Sequence, residues 1–452
     1  MKVLLIQPPS VDPLTDQIFL FEPLALEYLG AGLIQDSHEV HLLDARIDSD
    51  YEGVLHKFQP DVIGLTGFTS HVNIIKSIAT RIKSINPKIL IVVGGHHATV
   101  QPIDFNNSHI DVVVIGEGVF ALREIISAWE RGDEFSAIHG VAIPHTDGMT
   151  FSTPRPYTDL NELPRPDRSL TAGYRKHYFS EWFKPLASIR TSLGCTGRCN
   201  FCALWKITGG KYLRRTPEKI IEELLTIDEP NIFFCDDESM CDVQRMDKLA
   251  DLITAAGIHK QYFLYGRVDT IVNHPELFAK WAKIGLSQVF VGMEDFSDRR
   301  LAAMNKGITT MQQAEAVKIL DRLGIMMYAS YMVDPTYTRE DFTSLMAYAR
   351  KMKHTYATFT VLTPLPGTQL YATRQQELLS RKPELYDMLH ALFPTTLPIQ
   401  EFYKELANLW TKAIPLHRVL PTLFRFGLHG MLIRIKIFRR VLDKCKVLHL
   451  DY

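Results

Sequence analysis

Three cysteines within one short segment, Cys195, Cys199 and Cys202, are the side chains of this sequence best suited to chemistry. Three thiolates at this spacing can hold a [4Fe–4S] cluster and leave its fourth iron without a protein ligand, open to a substrate. Zinc is the alternative, but closed structural zinc sites use four ligands, usually in two closely spaced pairs. The next cysteines, Cys235 and Cys241, are distant in the chain and lie in an acidic segment. The spacing therefore favours an iron–sulfur cluster.

The segments around the cysteines alternate strand and helix patterns. A strand pattern over 188–193 and Gly194 lead into Cys195, and Thr216-Pro217 has the sequence of a helix start, with the helix running through Leu225. Five further apolar runs predict strands: Ile232–Cys235, Tyr262–Tyr265, Val289–Val291, Met326–Met332 and Thr358–Leu362. Six strand–helix units predict a partial (β/α)6 barrel, whose ligand contacts collect at the carboxyl ends of its strands.

The first third of the chain has the βαβ rhythm of a doubly wound, Rossmann-like parallel sheet. Its strand patterns are Val3–Ile6, Val40–Leu43, Val62–Leu65, Ile89–Val93 and Val112–Ile115, separated by amphipathic stretches such as Val72–Lys83. In such sheets ligands lie beyond the carboxyl ends of the strands.

The residues after these strands are therefore a candidate ligand site. They are Gln7, Pro8, Asp44, Thr66, Gly67, Thr69, Ser70, Gly94, Gly95, His96, Gly116, Glu117 and Gly118. Glycines and small hydroxyls let a backbone approach a bulky ligand closely. Ordinary strand-to-helix turns have the same composition and are the alternative.

Length and composition predict several domains in one cytoplasmic protein. A chain of 452 residues with 46% hydrophobic content can bury more than one core. We expect a domain at 1–145, a proline-rich linker at 146–185, the barrel at 186–372 and a helical extension at 373–452. The sequence has no signal-peptide core and no membrane-spanning stretch, and its clustered cysteines suit a reducing compartment. The balance of 50 basic and 51 acidic residues gives no reason to expect nucleic acid as a partner.

The C-terminal tail, from Leu416 onward, carries eight basic and two acidic residues among apolar ones. The basic residues are Arg418, Arg425, Arg434, Lys436, Arg439, Arg440, Lys444 and Lys446. This composition suits a helix lying on a membrane, which would make the protein peripheral to the inner membrane surface. A helix packed on the barrel with a solvated basic face has the same composition.

The spacing Cys-x3-Cys-x2-Cys, with an aromatic residue before the last cysteine, is the signature of radical S-adenosylmethionine (SAM) enzymes. Over nearly its whole length the chain resembles the hopanoid C-3 methylase group of their cobalamin-dependent branch. The resemblance is carried by Arg190–Tyr212, Phe233–Ser239, Tyr262–Ile271, Val289–Phe296, Val361–Tyr371 and Leu385–Trp410. The last segment lies outside the barrel and favours the lipid-acting group, whereas Cys235 and Asp295 depart from the pattern.

The resemblance implies that the N-terminal domain binds cobalamin, with the loops Thr66–Ser70 and Gly94-Gly95 beside its nucleotide tail. The Asp-x-His-x-x-Gly motif, which supplies an axial histidine in other cobalamin proteins, is absent, since Asp44–Asp48 contains no histidine. Three histidines remain near this site, each more typical of a pocket wall than of a cobalt ligand: His71, His96 and His97.

The resemblance also implies a SAM site at the ends of the barrel strands. Asp236 and Asp237 occupy the place of the motif that binds the SAM amino group, Arg267 suits its carboxylate, and Glu294 suits the ribose or the amine. Alternatively, the acidic run is a solvated helix cap and the arginine a surface salt-bridge former.

The implied activity is methyl transfer to an unactivated sp3 carbon, expected on a hopanoid-like lipid. Such a carbon has neither an acidic proton nor a lone pair, so a radical is needed. The implied cofactors are the [4Fe–4S] cluster, SAM and methylcobalamin, with a flavodoxin or ferredoxin as electron donor. A non-methylating rearrangement, cyclisation or epimerisation is the alternative, and a non-catalytic sensor is a third.

Overall fold

The computed structural model describes residues 1–352, 356–413, 420 and 427–452. The chain divides into two compact units, Met1–Ala187 and Ser188–Tyr452. None of the helices in these ranges combines the length and the apolar composition needed to cross a membrane.

The first unit is built on a seven-stranded sheet in the order β2-β1-β3-β4-β5-β6-β7. Its strands are β1 (Lys2–Gln7), β2 (Glu39–Asp44), β3 (Val62–Thr66), β4 (Leu90–Gly94), β5 (Val112–Val114), β6 (Val141–His145) and β7 (Gly148–Phe151). Strands β1 to β5 pair in parallel, whereas β6 and β7 are antiparallel. This confirms the doubly wound sheet predicted from the apolar runs.

Helices cover both faces of this sheet. They are α1 (Leu24–Gln35), α2 (Tyr51–Phe58), α3 (Val72–Ile85), α4 (His96–Val100) and α5 (Val119–Arg131). One apolar core, including Leu4, Ile63 and Ile75, lies on one face, and another, including Val3, Leu33 and Ile125, lies on the other. The strands between two cores read as continuous apolar runs, which is why the sequence predicts them well. The pattern did not predict β6 and β7, because this edge hairpin is buried only at one end.

The segment expected as a linker is tied to the first unit by buried polar contacts. Thr171 Oγ1 donates to Glu27 Oε1 at 2.5 Å, and the Tyr178 hydroxyl donates to Asp44 Oδ2 at 3.2 Å. Burial and the neighbouring Glu22 raise the pKa of Glu27 to about 8. Between 152 and 185 the backbone forms two short 3-10 turns, Arg168–Thr171 and Arg175–His177, and an isolated β-bridge between Phe179 and Leu20.

The second unit contains a six-stranded sheet in the order β15-β14-β13-β12-β11-β8, and β9 and β10 form a separate pair. The strands are β8 (Leu186–Ile189), β9 (Ser192–Leu193), β10 (Leu213–Arg214), β11 (Asn231–Phe234), β12 (Gln261–Gly266), β13 (Leu286–Glu294), β14 (Met326–Val333) and β15 (Tyr356–Val361). Strands β11 to β15 are parallel throughout. All six strand–helix units predicted from the sequence are present.

The helices of the second unit alternate with these strands and continue beyond them. They are α6 (Leu204–Ile207), α7 (Pro217–Leu224), α8 (Val243–Ala255), α9 (Val268–Asn273), α10 (Pro275–Lys283), α11 (Asp298–Ala303), α12 (Thr310–Arg322), α13 (Arg339–Met352), α14 (Gln369–Arg374), α15 (Ile399–Lys412) and α16 (Gly427–Val447). Helix α7 begins with Thr216 as N-cap and Pro217 in the first turn, as predicted.

The last helix, α16, packs against α15 and keeps part of its apolar surface exposed. Cys445 and Leu448 are buried at its end, whereas Leu428 and Leu432 are 71% and 55% exposed. Both interpretations of the tail are therefore compatible with this helix. Part of the tail lies outside the described residues, including Arg418, Leu423, Phe424, Arg425 and Phe426.

Candidate functional site

The cysteine loop, residues 195–202, follows a turn that only glycine can make. Gly194 has a φ of 95°, in the left-handed region. A side chain at this position would collide with the carbonyl oxygen of Lys211 and the hydroxyl of Thr208. The turn lies directly after β9 and leads into the loop that contains all three cysteines.

The three thiols influence one another and have two cations beside them. Burial raises the pKa of Cys195 and raises that of Cys202 to about 12, with the neighbouring thiols adding to the effect at Cys202. Arg267 lies near Cys195, and Lys306 lies near Cys199. In the described ranges, no group of three or more His, Cys, Asp or Glu side chains is arranged to hold a single metal ion. One buried and two partly buried thiols beside two cations fit a [4Fe–4S] cluster, whose thiolate ligands carry negative charge.

Two of the predicted SAM contacts, Asp236 and Asp237, hold the backbone before the cysteines. Asp236 is 2% exposed and accepts hydrogen bonds from the N–H groups of Thr191 (2.6 Å) and Ser192 (2.9 Å). Asp237 accepts one from the Gly194 N–H at 2.7 Å, and burial raises its pKa to about 6. The oxygens of Asp236 are thus used within the protein.

Glu238, the next residue, is the carboxylate that the sequence analysis left out of the site. It is 1% exposed, and neither of its oxygens has a well-formed hydrogen bond, although the Met240 N–H and the Cys241 thiol lie near it. Burial raises its pKa, and its charge acts on Cys195. A buried carboxylate without hydrogen bonds is costly, so this one is suited to a cationic ligand. The only sequence signal was its place in the same acidic run.

Arg267 is held in place at the end of β12. It forms a two-point ion pair with Asp269, at 2.9 and 3.0 Å, and donates to the Lys306 carbonyl at 3.2 Å. Burial alone would lower its pKa, but Asp269 and the nearby thiols raise it. Its Nη1 group lies where a side chain at Gly197 would be, so the cysteine loop approaches the guanidinium closely.

Glu294 forms a buried ion pair with a residue that the sequence analysis did not select. Lys306 Nζ donates to Glu294 Oε1 at 2.5 Å, and both residues are buried. Glu294 has a φ of 62° and follows a shift in the pairing of β13 with β14, which re-aims its side chain. A side chain at Gly292 would collide with both charged groups. No strand-end pattern marks Lys306, which lies in a turn after α11.

In the first unit, all thirteen predicted ligand contacts lie at or directly after the carboxyl ends of β1 to β5. Gln7 and Asp44 are aligned at the ends of β1 and β2, and Thr66 and Gly94 at those of β3 and β4. The strand order 2-1-3-4-5 reverses direction between β1 and β3, where ligands bind in such sheets.

Two glycines at this edge of the sheet have backbone conformations and surroundings in which the absence of a side chain matters. Gly95 has a φ of 97°, and a side chain there would collide with the Thr66 hydroxyl and with the backbone of Gly67. Gly116 has a φ of 91° and has no atom within 4 Å of its missing Cβ. The edge therefore provides a cradle that a bulky ligand can approach.

Both predicted carboxylates at this edge already have partners. Asp44 forms a two-point ion pair with Arg46, at 2.8 and 2.6 Å. Glu117 accepts hydrogen bonds from the N–H groups of Val119 and Phe120 at the start of α5. Their side chains stabilise the loops rather than offering free acceptors.

Two families match the two units separately. The B12 binding domain family matches residues 19–126, and the Radical SAM superfamily matches residues 189–349. The chain is also similar to the hopanoid C-3 methylase of Methylococcus capsulatus, with 31% identity over 90% of this chain and 79% of that protein. This chain belongs to the cobalamin-dependent radical SAM family.

Two further similarities define the breadth of the family. The anaerobic magnesium-protoporphyrin IX monomethyl ester cyclase of Rubrivivax gelatinosus is 25% identical over 82% of this chain and 68% of its own length. The structure of the radical SAM methyltransferase TsrM from Kitasatospora setae covers 92% of this chain, with a TM-score of 0.72, 18% identity and 91% of that chain covered. The second likeness concerns the fold. The chain is an enzyme of the cobalamin-dependent radical SAM methyltransferase class.

The three histidines near the predicted cobalamin site are buried or hydrogen-bonded within the protein. His97 is fully buried, with Nδ1 at 3.0 Å from Thr69 Oγ1 and Nε2 at 2.9 Å from Asp104. His71 Nδ1 accepts a hydrogen bond from the Phe68 N–H, and burial lowers the pKa of His71 to about 4. Burial also lowers the pKa of His96.

The side chain of Phe68 is 63% exposed at the same edge. Its ring centroid lies 6.1 Å from that of His71 and 5.9 Å from that of His96. A glycine cradle, small hydroxyls and an exposed aromatic ring fit a large, partly apolar cofactor such as cobalamin.

Proposed function

We propose that this enzyme transfers a methyl group to an unactivated sp3 carbon of a hopanoid-like lipid. When bound, the cluster and SAM supply the radical that activates the carbon, and cobalamin supplies the methyl group. The protein's own contribution is to hold these groups, orient the substrate and exclude water. Support for an apolar substrate comes from an aromatic surface inside the radical SAM unit and from the relatives.

Six aromatic side chains form a continuous row across one face of the six-stranded sheet. We call Phe233, Phe263, Tyr265, Phe290, Tyr328 and Tyr356 the aromatic row. Ring centroids are 5.0 Å apart between Tyr265 and Phe290, 5.1 Å between Phe290 and Tyr328, and 4.7 Å between Tyr328 and Tyr356. The row spans five strands, about 19 Å at the usual strand spacing.

The aromatic row lies on the face opposite to the helices. Trp281 of α10 packs on Phe234 and Tyr262, with centroids 5.6 Å away in each case, and Gln313 of α12 donates to the Met293 carbonyl. The helix-covered face is buried, whereas on the other face Phe233 and Phe263 are buried and the remaining four members of the aromatic row are partly exposed.

The neighbouring rings from Tyr265 to Tyr356 pack edge-to-face or tilted, and an aromatic surface of this length suits a large apolar substrate. The names of the two relatives describe a hopanoid and a magnesium porphyrin ester as their substrates. Both are large ring systems with extensive apolar surface.

For the cluster and SAM, the proposal assigns the following roles. Cys195, Cys199 and Cys202 ligate the cluster. Glu238 accepts hydrogen bonds from the ammonium group of SAM, because its oxygens have no well-formed hydrogen bonds within the protein. Arg267 pairs with the SAM carboxylate through Nη1. Glu294 and Asp237 shape the site around SAM, and Asp236 supports this site by holding the backbone before the cysteine loop.

For cobalamin, the proposal uses the edge of the first sheet, with no axial histidine from Asp44–Asp48. The residues that would line the cofactor are Gln7, Pro8, Thr66–Ser70, Gly94–His96 and Gly116–Gly118.

The segment limits 1–145, 146–185, 186–372 and 373–452 stay predictions. A flavodoxin or ferredoxin as electron donor and a cytoplasmic location at the inner membrane surface also stay predictions.

The first prediction tests methyl transfer directly. Reconstituted protein, a low-potential reductant, a hopanoid lipid and SAM deuterated in its methyl group should, after many turnovers, give a product that carries the label. Each added methyl should appear with one 5′-deoxyadenosine and one S-adenosylhomocysteine, because one SAM is cleaved and another restores the methyl group. Mass spectrometry and quantification of the two nucleoside products provide the measurement.

A matched pair of variants separates substrate binding from cofactor binding. Phe290→Ala should reduce labelling of the lipid while iron and cobalamin contents remain those of the wild type. Phe151→Ala, at an exposed side chain of β7 in the first unit, should leave labelling unchanged. An unlabelled product of unchanged carbon number would eliminate methylation and favour a rearrangement or cyclisation.

A further inference from the structure

Arg198 folds the first half of the cysteine loop around its own guanidinium group. Its Nη1 donates to the carbonyl oxygens of Cys195, Thr196 and Gly197 at 3.0, 3.1 and 3.0 Å. The same guanidinium lies over the indole of Trp205, 5.4 Å from the ring centroid. This cation–π contact fixes the plane from which the three hydrogen bonds are donated.

The middle of the loop exchanges hydrogen bonds with the turn after α11. Asn305 Nδ2 donates to the carbonyl of Arg198 at 2.7 Å. In return, Asn200 donates from its side chain to the carbonyl of Ala303 at 2.8 Å. The same turn continues into Lys306, so it connects the cysteine loop to the buried ion pair with Glu294.

Two more donors complete the set. Trp205 Nε1 donates to the carbonyl of Cys199 at 3.0 Å, and the Leu370 N–H donates to that of Asn200 at 2.9 Å. Each of the six consecutive carbonyls from Cys195 to Asn200 therefore has a donor within the second unit.

This arrangement has an electrostatic consequence for the cysteine sulfurs. Carbonyl oxygens carry partial negative charge and N–H groups partial positive charge, so anionic sulfur is stabilised by N–H groups and destabilised by carbonyls. The Gly197 N–H already donates to Cys195 Sγ at 3.3 Å. Donors that hold the carbonyls keep the Gly197 N–H turned toward Cys195, while the N–H groups of Asn200 and Cys202 donate to the carbonyls of Met304 and Cys199.

We infer that Arg198, Trp205 and Asn305, which we call the carbonyl clamp, are positioning residues that hold the cysteine loop in its cluster-binding shape. The inference rests on the proposed cluster assignment, but it is independent of the methyl acceptor. The clamp determines how long the cluster is retained. Without it, the peptide groups of the loop are free to rotate their carbonyl oxygens toward the cysteine sulfurs, and this repulsion destabilises the bound cluster.

Three conservative variants remove one kind of donor each. Asn305→Asp keeps the shape of the side chain but loses its N–H, Trp205→Phe keeps a ring but loses the indole N–H, and Arg198→Lys keeps the charge but loses the planar fork. Arg214→Lys, at an exposed arginine of the neighbouring β10, is the matched control. Iron and acid-labile sulfide are measured after anaerobic reconstitution, and iron release to a chelator is then followed over time.

Iron release should be about 5-fold faster in Asn305→Asp and Trp205→Phe, and about 10-fold or more in Arg198→Lys, given the usual contribution of such hydrogen bonds. The control should match the wild type, and the cluster-free form of all four variants should still be folded at the temperature of the iron-release assay, as thermal unfolding checks. If Asn305→Asp does not fold, Asn305→Gly replaces it, because the φ of 53° is favourable for glycine.

The outcomes separate this inference from the proposed function. A wild-type protein that binds no iron contradicts the cluster assignment itself. A wild-type protein that binds the cluster, with release rates equal in the three clamp variants, overturns the clamp alone. Equal acceleration in Arg214→Lys would also overturn it, since the effect would then not depend on the loop carbonyls.

Discussion

The six cysteines of this enzyme occupy different environments. Three share the loop beside Arg267 and Lys306, whereas Cys235 donates to the Ile189 carbonyl at 3.4 Å and Cys445 is buried near the end of α16. The thiols of the first set act on one another's charge, and Cys195 also acts on Cys241. The loop thiols are therefore the cluster ligands that we propose.

The second prediction follows from these environments. Replacing Cys195, Cys199 and Cys202 together by alanine should abolish iron and sulfide binding, because no thiolate would remain in the loop. Cys235→Ala and Cys445→Ala should each retain the wild-type iron content after reconstitution. Full iron content in the triple variant would refute the assignment.

The third prediction distinguishes two neighbouring carboxylates. Glu238→Gln should weaken SAM binding roughly 10- to 100-fold, since a hydrogen bond between charged groups is worth about 1.5–3 kcal/mol. Its stability should not fall, because the carboxylate has no well-formed hydrogen bond to lose. Asp236→Asn should instead lower the unfolding midpoint, because Asp236 accepts hydrogen bonds from the Thr191 and Ser192 backbone.

Equilibrium binding of SAM and thermal unfolding of both variants provide the measurements. SAM affinity unchanged in Glu238→Gln would show that another group binds the ammonium. A loss of stability in Glu238→Gln equal to that of Asp236→Asn would contradict the different roles given to the two side chains.

At the scale of the elements, the two sheets differ in how many of their faces are covered by helices. In the first unit, strands lie between two apolar cores and are apolar throughout. In the second unit, β13 alternates buried and partly exposed residues, because only one face of the sheet is covered by helices. This alternation brings the aromatic row onto a single face.

The fourth prediction concerns α16. Its exposed Leu428 and Leu432 lie on the same helix as the exposed Lys436 and Arg439. If this surface docks on anionic membranes, Leu428→Gln/Leu432→Gln should reduce co-sedimentation with phosphatidylglycerol vesicles several-fold, and higher salt should weaken binding of the wild type. Sedimentation of protein with and without vesicles measures this effect.

Substitution is preferable to removal of the tail, because Cys445 and Leu448 are part of the core. Met311→Gln, at another highly exposed apolar side chain of the second unit, is the control and should bind as the wild type does. Equal binding by the double variant would leave α16 as a helix that only packs on the second unit.

At the scale of the whole molecule, the chain end is fastened to the second unit by a histidine between two carboxylates. His390 is buried, with Nδ1 at 3.0 Å from Asp387 and Nε2 at 3.1 Å from Asp451. Burial alone would lower the pKa of His390, but the hydrogen bonds and charges of Asp387 and Asp451 raise it overall. The protonated histidine therefore stabilises the folded chain.

The fifth prediction is a pH dependence with a defined sign. Because the folded-state pKa of His390 is raised, its stabilisation is complete below the unfolded-state pKa of about 6.5 and is lost as the pH rises through the folded-state value. The stability advantage of the wild type over His390→Gln should fall, on the order of 1 kcal/mol, as the pH rises from about 6 to 8. Denaturant unfolding at a series of pH values measures this difference.

Asp451→Asn serves as the matched variant, because it leaves the histidine but removes one of its two carboxylates. Its stability should vary less with pH than that of the wild type. A stability difference that grows with pH would give the opposite sign and exclude a protonated His390 in the folded state.

The sequence by itself determined those features that depend on neighbours in the chain. The spacing of Cys195, Cys199 and Cys202 indicated the cluster, because one loop supplies all three thiols. Continuous apolar runs predicted the parallel sheets, and glycines and hydroxyls after the strands marked a candidate ligand edge, which the family resemblance assigned to cobalamin. In each case the interacting groups belong to one short segment or to one repeated pattern.

Only the tertiary structure decided which polar side chains are available. Asp236 and Glu238 look alike in sequence, but Asp236 is occupied by the backbone of β9 and the residue before it, whereas Glu238 has no well-formed hydrogen bond. The pairing of Glu294 with Lys306 and the contact of Asn305 with the cysteine loop join residues that are 12 and 107 positions apart. Hydrogen bonds and ion pairs act over a few ångströms, so their partners are fixed by the packing of distant segments and not by local pattern.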